Sequence, residues 1–255
     1  MAFSVITNHS SDTARFPFLL QLVMSLFVEW PTPAVSELIV GFGDDVDAAE
    51  EDRIRALQRH VPVPLRVTRL EDDWGSANHW QLIPMAKEEL VCKFDNDACA
   101  MGPGWWQCAV DQFSEQRLGL VARVGYYFDQ AVTRSIEEWK HGREVDTICG
   151  WCYFVRRSAW IGVPPAPLLT AHNGYRYDDL PMGFHVREHG WTVRVAAMDV
   201  AHTPAPSVRR GGFHLTGPEA LNRRQLQSMY ARRLPMLGPR VHRELRPQSQ
   251  RGGRR

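Results

Sequence analysis

Residues 90–106 read L-V-C-K-F-D-N-D-A-C-A-M-G-P-G-W-W, and they restrict the possible architectures of this chain more than any other stretch. A short apolar run, broken first by Asp95-Asn96-Asp97 and then by glycine and proline, predicts a buried strand ending in a loop that displays two carboxylates. Side chains two apart on extended backbone point the same way, so Asp95 and Asp97 converge while Asn96 faces elsewhere. Converging carboxylates suit a hard divalent cation that also takes phosphate oxygens. The carboxyl ends of strands are where open α/β sheets bind ligands, which makes a nucleoside diphosphate the natural partner. By itself the pattern is a weak signal, because acidic turn formers and helix caps are common after strands, so the order of the surrounding elements has to decide.

That order is regular in the first half of the chain. Residues 2–7 predict a strand, 16–29 a helix stopped by Trp30-Pro31-Thr32-Pro33, 37–43 a second strand with Asp44-Asp45 at its carboxyl end, and 47–60 a charged helix. A third strand follows at 62–70, then a helix opening at Asp73 and running to about 86, and then the strand that delivers Asp95. Strands alternating with helices predict a largely parallel sheet covered on both faces. The second half is less regular: a helix at 105–113, a strand at 119–124, irregular chain over 126–145 with a helix near 135–140, and a strong strand at 148–157. A helix then begins at Tyr177-Asp178-Asp179 and runs to His189, Gly190 ends it, and 191–200 form the last strand. No internal repeat is present.

Length and composition fit one domain of two unequal lobes with a single substantial core. Charge is distributed unevenly: residues 200–255 hold twelve arginines against two glutamates, whereas the rest of the chain is acidic, although the net charge is only +1. The basic Pro/Gly/Arg-rich extension, 204–255, is expected to carry one helix at 218–233 and a disordered end, and either to remain a solvated tail or to fold over an anionic ligand held by the body. No nucleic-acid partner is expected. The longest apolar stretch, 18–28, is interrupted by Gln21 and Ser25 and is too short to span a bilayer. With no evident secretory signal and an odd count of five cysteines, a cytoplasmic, reducing location is expected. Cys149-Gly150-Trp151-Cys152 matches C-x-x-C but continues into a strand, leaving buried free thiols or a structural zinc as its readings.

Four pieces together resemble a family 2 glycosyltransferase of the GT-A fold over residues 2–203: the strand ending in Gly43-Asp44-Asp45; the D-x-D of C-K-F-D-N-D; G-W-C-Y-F-V-R-R-S-A-W; and Y-D-D-L-P-M-G-F-H-V-R-E-H-G-W. The resemblance implies a Rossmann-like, mostly parallel sheet flanked by helices, with a nucleotide-sugar lobe at about 1–125 and a smaller acceptor lobe at 126–203. It implies that Asp95 and Asp97 hold Mn²⁺ or Mg²⁺ and that His202 is placed as a further metal ligand, the alternative being a solvent-facing histidine before Pro204. On the donor side it places Asn8, Asp44, Asp45, Asn78, Lys93 and Asn96. Asp44 and Asp45 contact the base or ribose or else cap the next helix, and Lys93 pairs with a phosphate or with a carboxylate. Arg209-Arg210, beside Gly211-Gly212, would be a clamp on the diphosphate.

A sugar acceptor needs a base near its hydroxyl, and a carboxylate at a helix start suits that task; Asp179 is the candidate and Asp178 its alternate. Trp105, Trp106 and Trp151 are the indoles nearest in sequence to the expected site and are candidates to carry an acceptor, either a small molecule, a natural product or a protein. The expected activity is metal-dependent transfer of a sugar, with inversion, from a nucleoside-diphosphate sugar of UDP type to an acceptor hydroxyl, that is, a hexosyltransferase. The alternatives are a sugar nucleotidyltransferase, which the lack of a glycine-rich basic loop after the first strand disfavours, and a non-catalytic binding or scaffold protein on the same fold.

Overall fold

A computed structural model describes residues 1–9, 16–70, 78–129, 132–135, 142–160 and 180–202. The first predicted strand, β1 (Phe3–His9), lies deep inside a sheet because its side chains are apolar toward both faces: Phe3 and Val5 enter one core and Ile6 the other. The strands β2 (Val35–Phe42), β3 (Leu65–Arg69) and β4 (Leu90–Asp95) follow in turn, then β6 (Leu118–Ala122), β10 (Cys152–Arg156) and β11 (Thr192–Val195), giving the order β11-β6-β10-β4-β1-β2-β3. Only β10 runs against its neighbours, so the sheet is mostly parallel, as the alternation of elements predicts.

Helix α1 (Phe16–Met24) runs on into a wider turn, Ser25–Glu29, and buries Leu19, Leu22, Val23 and Leu26. That i, i+3, i+4, i+7 stripe seats it on the face formed by Phe3, Val5, Phe94 and Phe154. Helix α2 (Ala48–Ala56) is capped by Asp47, whose side chain accepts the Glu50 N–H at 2.8 Å. On the opposite face Trp80, from the short helix α3 (His79–Leu82), meets Trp160, which closes helix α5 (Arg157–Trp160), with ring centroids 4.5 Å apart. Helix α6 (Leu180–Glu188) completes that layer through Met182 and Val186. It stops at Gly190, which takes φ +83° and donates its N–H to the Arg187 carbonyl at 2.9 Å. A short helix, α4 (Gln107–Val110), lies within the segment predicted as 105–113.

The second half departs from expectation in two places. Residues expected to be irregular form the hairpin β7 (Gly125–Asp129) and β8 (Val132–Ser135), which joins β9 (Thr147–Ile148) in a three-stranded sheet; Tyr126-Tyr127-Phe128 are strand-forming residues whose signal outweighs the surrounding polarity. The single last strand predicted at 191–200 is divided: β11 ends at Val195, and Val200–His202 form β12, which pairs antiparallel with β5 (Ala98–Ala100). Arg123 enforces the division by donating to the carbonyls of Met198, at 2.9 Å, and Val200. Among the described residues no helix is long and apolar enough to cross a membrane. All five cysteines are free; Cys152 sits in β10, and burial, with Cys152 beside it, pushes the Cys92 thiol up, while among the described residues no cysteine belongs to a group able to hold a metal ion. Asp178, Asp179, Arg209, Arg210 and the helix expected at 218–233 lie outside the described residues.

Candidate metal and donor site

The site forms where β4 ends. Asp95 is the last residue of that strand and pairs in register with Asn8 of β1; Asp97 precedes β5, and the β5–β12 pairing sets His202 opposite Ala98. His202 Nε2 comes to 3.1 Å from Asp97 Oδ1, and ligand atoms of Asp95, Asp97 and His202 all lie within 4.8 Å of one another. Among the described residues this is the one cluster of such groups able to hold a metal ion. Two carboxylates and an imidazole are a hard, oxygen-rich set with one borderline nitrogen, a composition that fits Mn²⁺ better than Mg²⁺. Burial works to lower the His202 pKa. The hydrogen bond to Asp97 and the charges of Asp97 and Asp95 outweigh it and hold the imidazole above its ordinary value, with Lys93 opposing them.

Lys93 is buried, its side chain only 3 % exposed, and its ammonium donates both to Asp95 Oδ1 and, at 2.6 Å, to the Gly150 carbonyl. This is the carboxylate pairing that its parity allows. Next to it, the Asp95 N–H donates to the Trp151 carbonyl at 2.8 Å, and the Trp151 indole stacks on the His202 ring, centroids 5.4 Å apart and planes 12° from parallel.

On the neighbouring strands, Asn8 accepts from the amide of buried Asn78 at 3.2 Å. Asp44 and Asp45 are exposed in the turn after β2, with Arg69 3.7 Å from Asp44. The helix cap that either of them was free to supply comes from Asp47. Asn96 is buried, and its Nδ2 has no hydrogen-bond partner among the described residues. The tryptophans separate. Trp105 is 2 % exposed, packs with Phe3, Phe94 and Phe154, and donates its indole N–H to Thr32 Oγ1 at 3.0 Å; it belongs to the core and has no surface left for an acceptor. Trp106 packs partly against the same core, and Trp151 turns one face to His202.

Sequence reasoning placed the carboxylates and the histidine but not the strand pair that joins them. Three-residue strands such as β5 and β12 carry too few positions for a periodicity to show.

No family model matches this chain, and no curated protein matches it in sequence. Solved structures match its fold. GalNAc-T7 with UDP, GalNAc and Mn²⁺ aligns with a TM-score of 0.62 at 12% identity, over 79% of this chain and 44% of that one. The mannosyltransferase PcManGT from Pyrobaculum calidifontis, in complex with GDP-Man and Mn²⁺, aligns at 0.60 and 15% identity over 90% of this chain and 69% of that one. TarS from S. aureus aligns at 0.55 and 15% identity over 81% of this chain and 37% of that one. The chain thus spans less than half the length of the first and third of these proteins. The likeness is one of fold, and that fold is of the GT-A type.

Proposed function

We propose that this chain is a metal-dependent glycosyltransferase that moves a sugar from a nucleoside-diphosphate sugar to an acceptor hydroxyl. The observation that carries the reading is the convergence of Asp95, Asp97 and His202 at the carboxyl end of β4, on a fold whose solved examples include two that hold a nucleotide or nucleotide sugar with Mn²⁺. These three residues would hold Mn²⁺, or Mg²⁺ in its place. When bound, the cation supplies Lewis-acid stabilisation of the charge that grows on the departing diphosphate.

The chain's own groups supply the rest. Lys93 neutralises Asp95 and fixes its carboxylate toward the site. Asn8, Asn78 and the exposed Asp44 and Asp45 offer polar contacts to base and ribose along the strand ends. Asp179, with Asp178 as alternate, takes the proton from the acceptor hydroxyl. The hydroxyl oxygen bonds to the anomeric carbon while the bond from that carbon to the diphosphate oxygen breaks, inverting the centre and releasing the nucleoside diphosphate. We take residues 1–125 as the donor lobe and 126–203 as the acceptor lobe, with UDP as the donor nucleotide, Trp106 and Trp151 toward a small-molecule, natural-product or protein acceptor, and Arg209-Arg210 closing on the diphosphate. Five free thiols fit a reducing compartment.

The test is a thermal-shift titration with UDP, GDP and dTDP, each with Mn²⁺, with Mg²⁺ and with chelator, on wild type and on the Asp95→Ala/Asp97→Ala double variant. A ligand at one hundred times its dissociation constant adds about 2.7 kcal/mol of stability. One nucleotide is expected to stabilise the wild type only with metal and to leave the double variant unmoved. If no nucleotide shifts the wild type under any condition, the transferase reading is wrong and a binding protein on the same fold takes its place.

A further inference from the structure

Trp151 packs partly against the core under α1, but core packing alone does not account for where its ring and backbone meet the site. Its backbone is locked to the strand that carries Asp95: its carbonyl accepts the Asp95 N–H at 2.8 Å, the carbonyl before it takes the Lys93 ammonium at 2.6 Å, and the residue after it, Cys152, pairs with Phe94 in the sheet. Its side chain reaches to the other component of the site and lies flat on the His202 imidazole. His202, in contrast, is the last residue of a three-residue strand and is partly exposed; backbone pairing fixes its Cα but not the plane of its ring. An imidazole can serve a cation only when the ring edge carrying the lone pair faces it, so something must set the second side-chain torsion. A stacked indole, 12° from parallel, sets it.

We infer that Trp151 is a positioning residue, whose indole holds the His202 ring in the plane that aims Nε2 at the cation shared with Asp95 and Asp97. The inference rests on the cation-site reading above. It links two parts of the site that are far apart in sequence through one turn: Lys93 ties the Gly150 carbonyl to the Asp95 carboxylate, and the next residue, Trp151, orients the histidine. The face of Trp151 turned to His202 is therefore not a sugar platform.

The test measures Mn²⁺ binding alone on the full chain, by the free-Mn²⁺ electron paramagnetic resonance signal, in wild type, Asp97→Ala, His202→Ala, Trp151→Phe, Trp151→Leu and the Trp151→Leu/His202→Ala double variant. Trp151→Leu is expected to weaken Mn²⁺ about tenfold, the scale on which groups that orient a metal ligand act. Trp151→Phe, which still stacks, is expected to stay within about twofold of wild type. In the His202→Ala background the leucine is expected to change nothing further, because the indole acts through the imidazole. Trp151→Phe also gives a spectroscopic readout: the component of Mn²⁺ quenching of tryptophan fluorescence that belongs to Trp151 disappears in it.

Wild-type affinity in Trp151→Leu overturns the inference, as does an equal loss with and without His202 or an unchanged quench in Trp151→Phe. Should Trp151→Leu fail to fold, a loss of more than about twofold in Trp151→Phe or an unchanged quench in it still overturns the inference. Mn²⁺ binding that Asp97→Ala leaves unaltered overturns the cation site itself, whereas binding lost in Asp97→Ala but indifferent to Trp151 overturns only the role of the indole.

Discussion

Single residues show how far burial and charge are balanced away from the site. Glu37 of β2 is 1 % exposed, yet it accepts from Ser4 Oγ at 2.6 Å, from the Lys87 N–H at 2.7 Å and from Arg66 at 3.4 Å. Burial works to raise its pKa, but these donors together outweigh it and hold the carboxyl below its ordinary value. A carboxyl with a depressed folded pKa contributes stability that is present above the unfolded pKa and is lost as pH falls through the folded one. Glu37→Gln is therefore expected to cost about 1–3 kcal/mol at neutral pH. Its difference from wild type should narrow once the pH drops below the ordinary carboxyl range, as read by urea unfolding across pH 3–7. A difference independent of pH would mean that shape, not charge, is what Glu37 supplies. The cluster lies at the amino end of the sheet, opposite Asp95, and so serves stability rather than chemistry.

Among the elements, α6 rests on neighbouring backbone through a glycine. A Cβ on Gly183 would stand 2.4 Å from Thr147 Cα and 2.6 Å from the Asp146 carbonyl, backbone atoms at the start of β9, while Arg187 of the same helix donates to the Val145 carbonyl at 2.7 Å. The helix cannot keep its seat with any larger residue there. Gly183→Ala is expected to lose about 1–3 kcal/mol through overpacking. Gly190→Ala, at φ +83° with nothing within 4 Å, meets only the left-handed backbone cost of about 1–2 kcal/mol. Chemical denaturation compares them. The two should also differ in turnover: a shift of α6 carries with it the residues just before Leu180, where Asp179 stands in the chain, so Gly183→Ala should lower kcat while Gly190→Ala leaves it near wild type. Equal kcat in both variants would detach the proposed base from this helix.

At the scale of the molecule, the described residues form two cores: one layer under α1, the other under α5 and α6, with β12 ending at His202. Removing the chain after Ser207 is expected to leave the melting temperature of the ligand-free protein within about 2 °C of wild type, since it deletes none of the residues named in either core. On the proposed reading it weakens nucleotide binding severalfold, because Arg209-Arg210 go with it. Isothermal titration with the nucleotide and Mn²⁺ reads the second effect, and unchanged affinity would dismiss the arginine clamp.

Much of this was legible from residues alone. Strand and helix alternation, the stripe Leu19-Leu22-Val23-Leu26, and two carboxylates spaced two apart at a strand end are local patterns, because burial repeats with the period of the backbone and covalent spacing sets which side chains share a face. What tertiary structure decided depends on residues distant in sequence: that Asp47 and not Asp44 or Asp45 caps α2, that Trp105 sinks into the core while Trp151 meets His202, and that β11 and β12 divide so that His202 reaches Asp97 across 105 positions. No local period encodes such meetings. They follow from which short strands pair once the two cores have closed, and that choice is made by the packing of the whole chain.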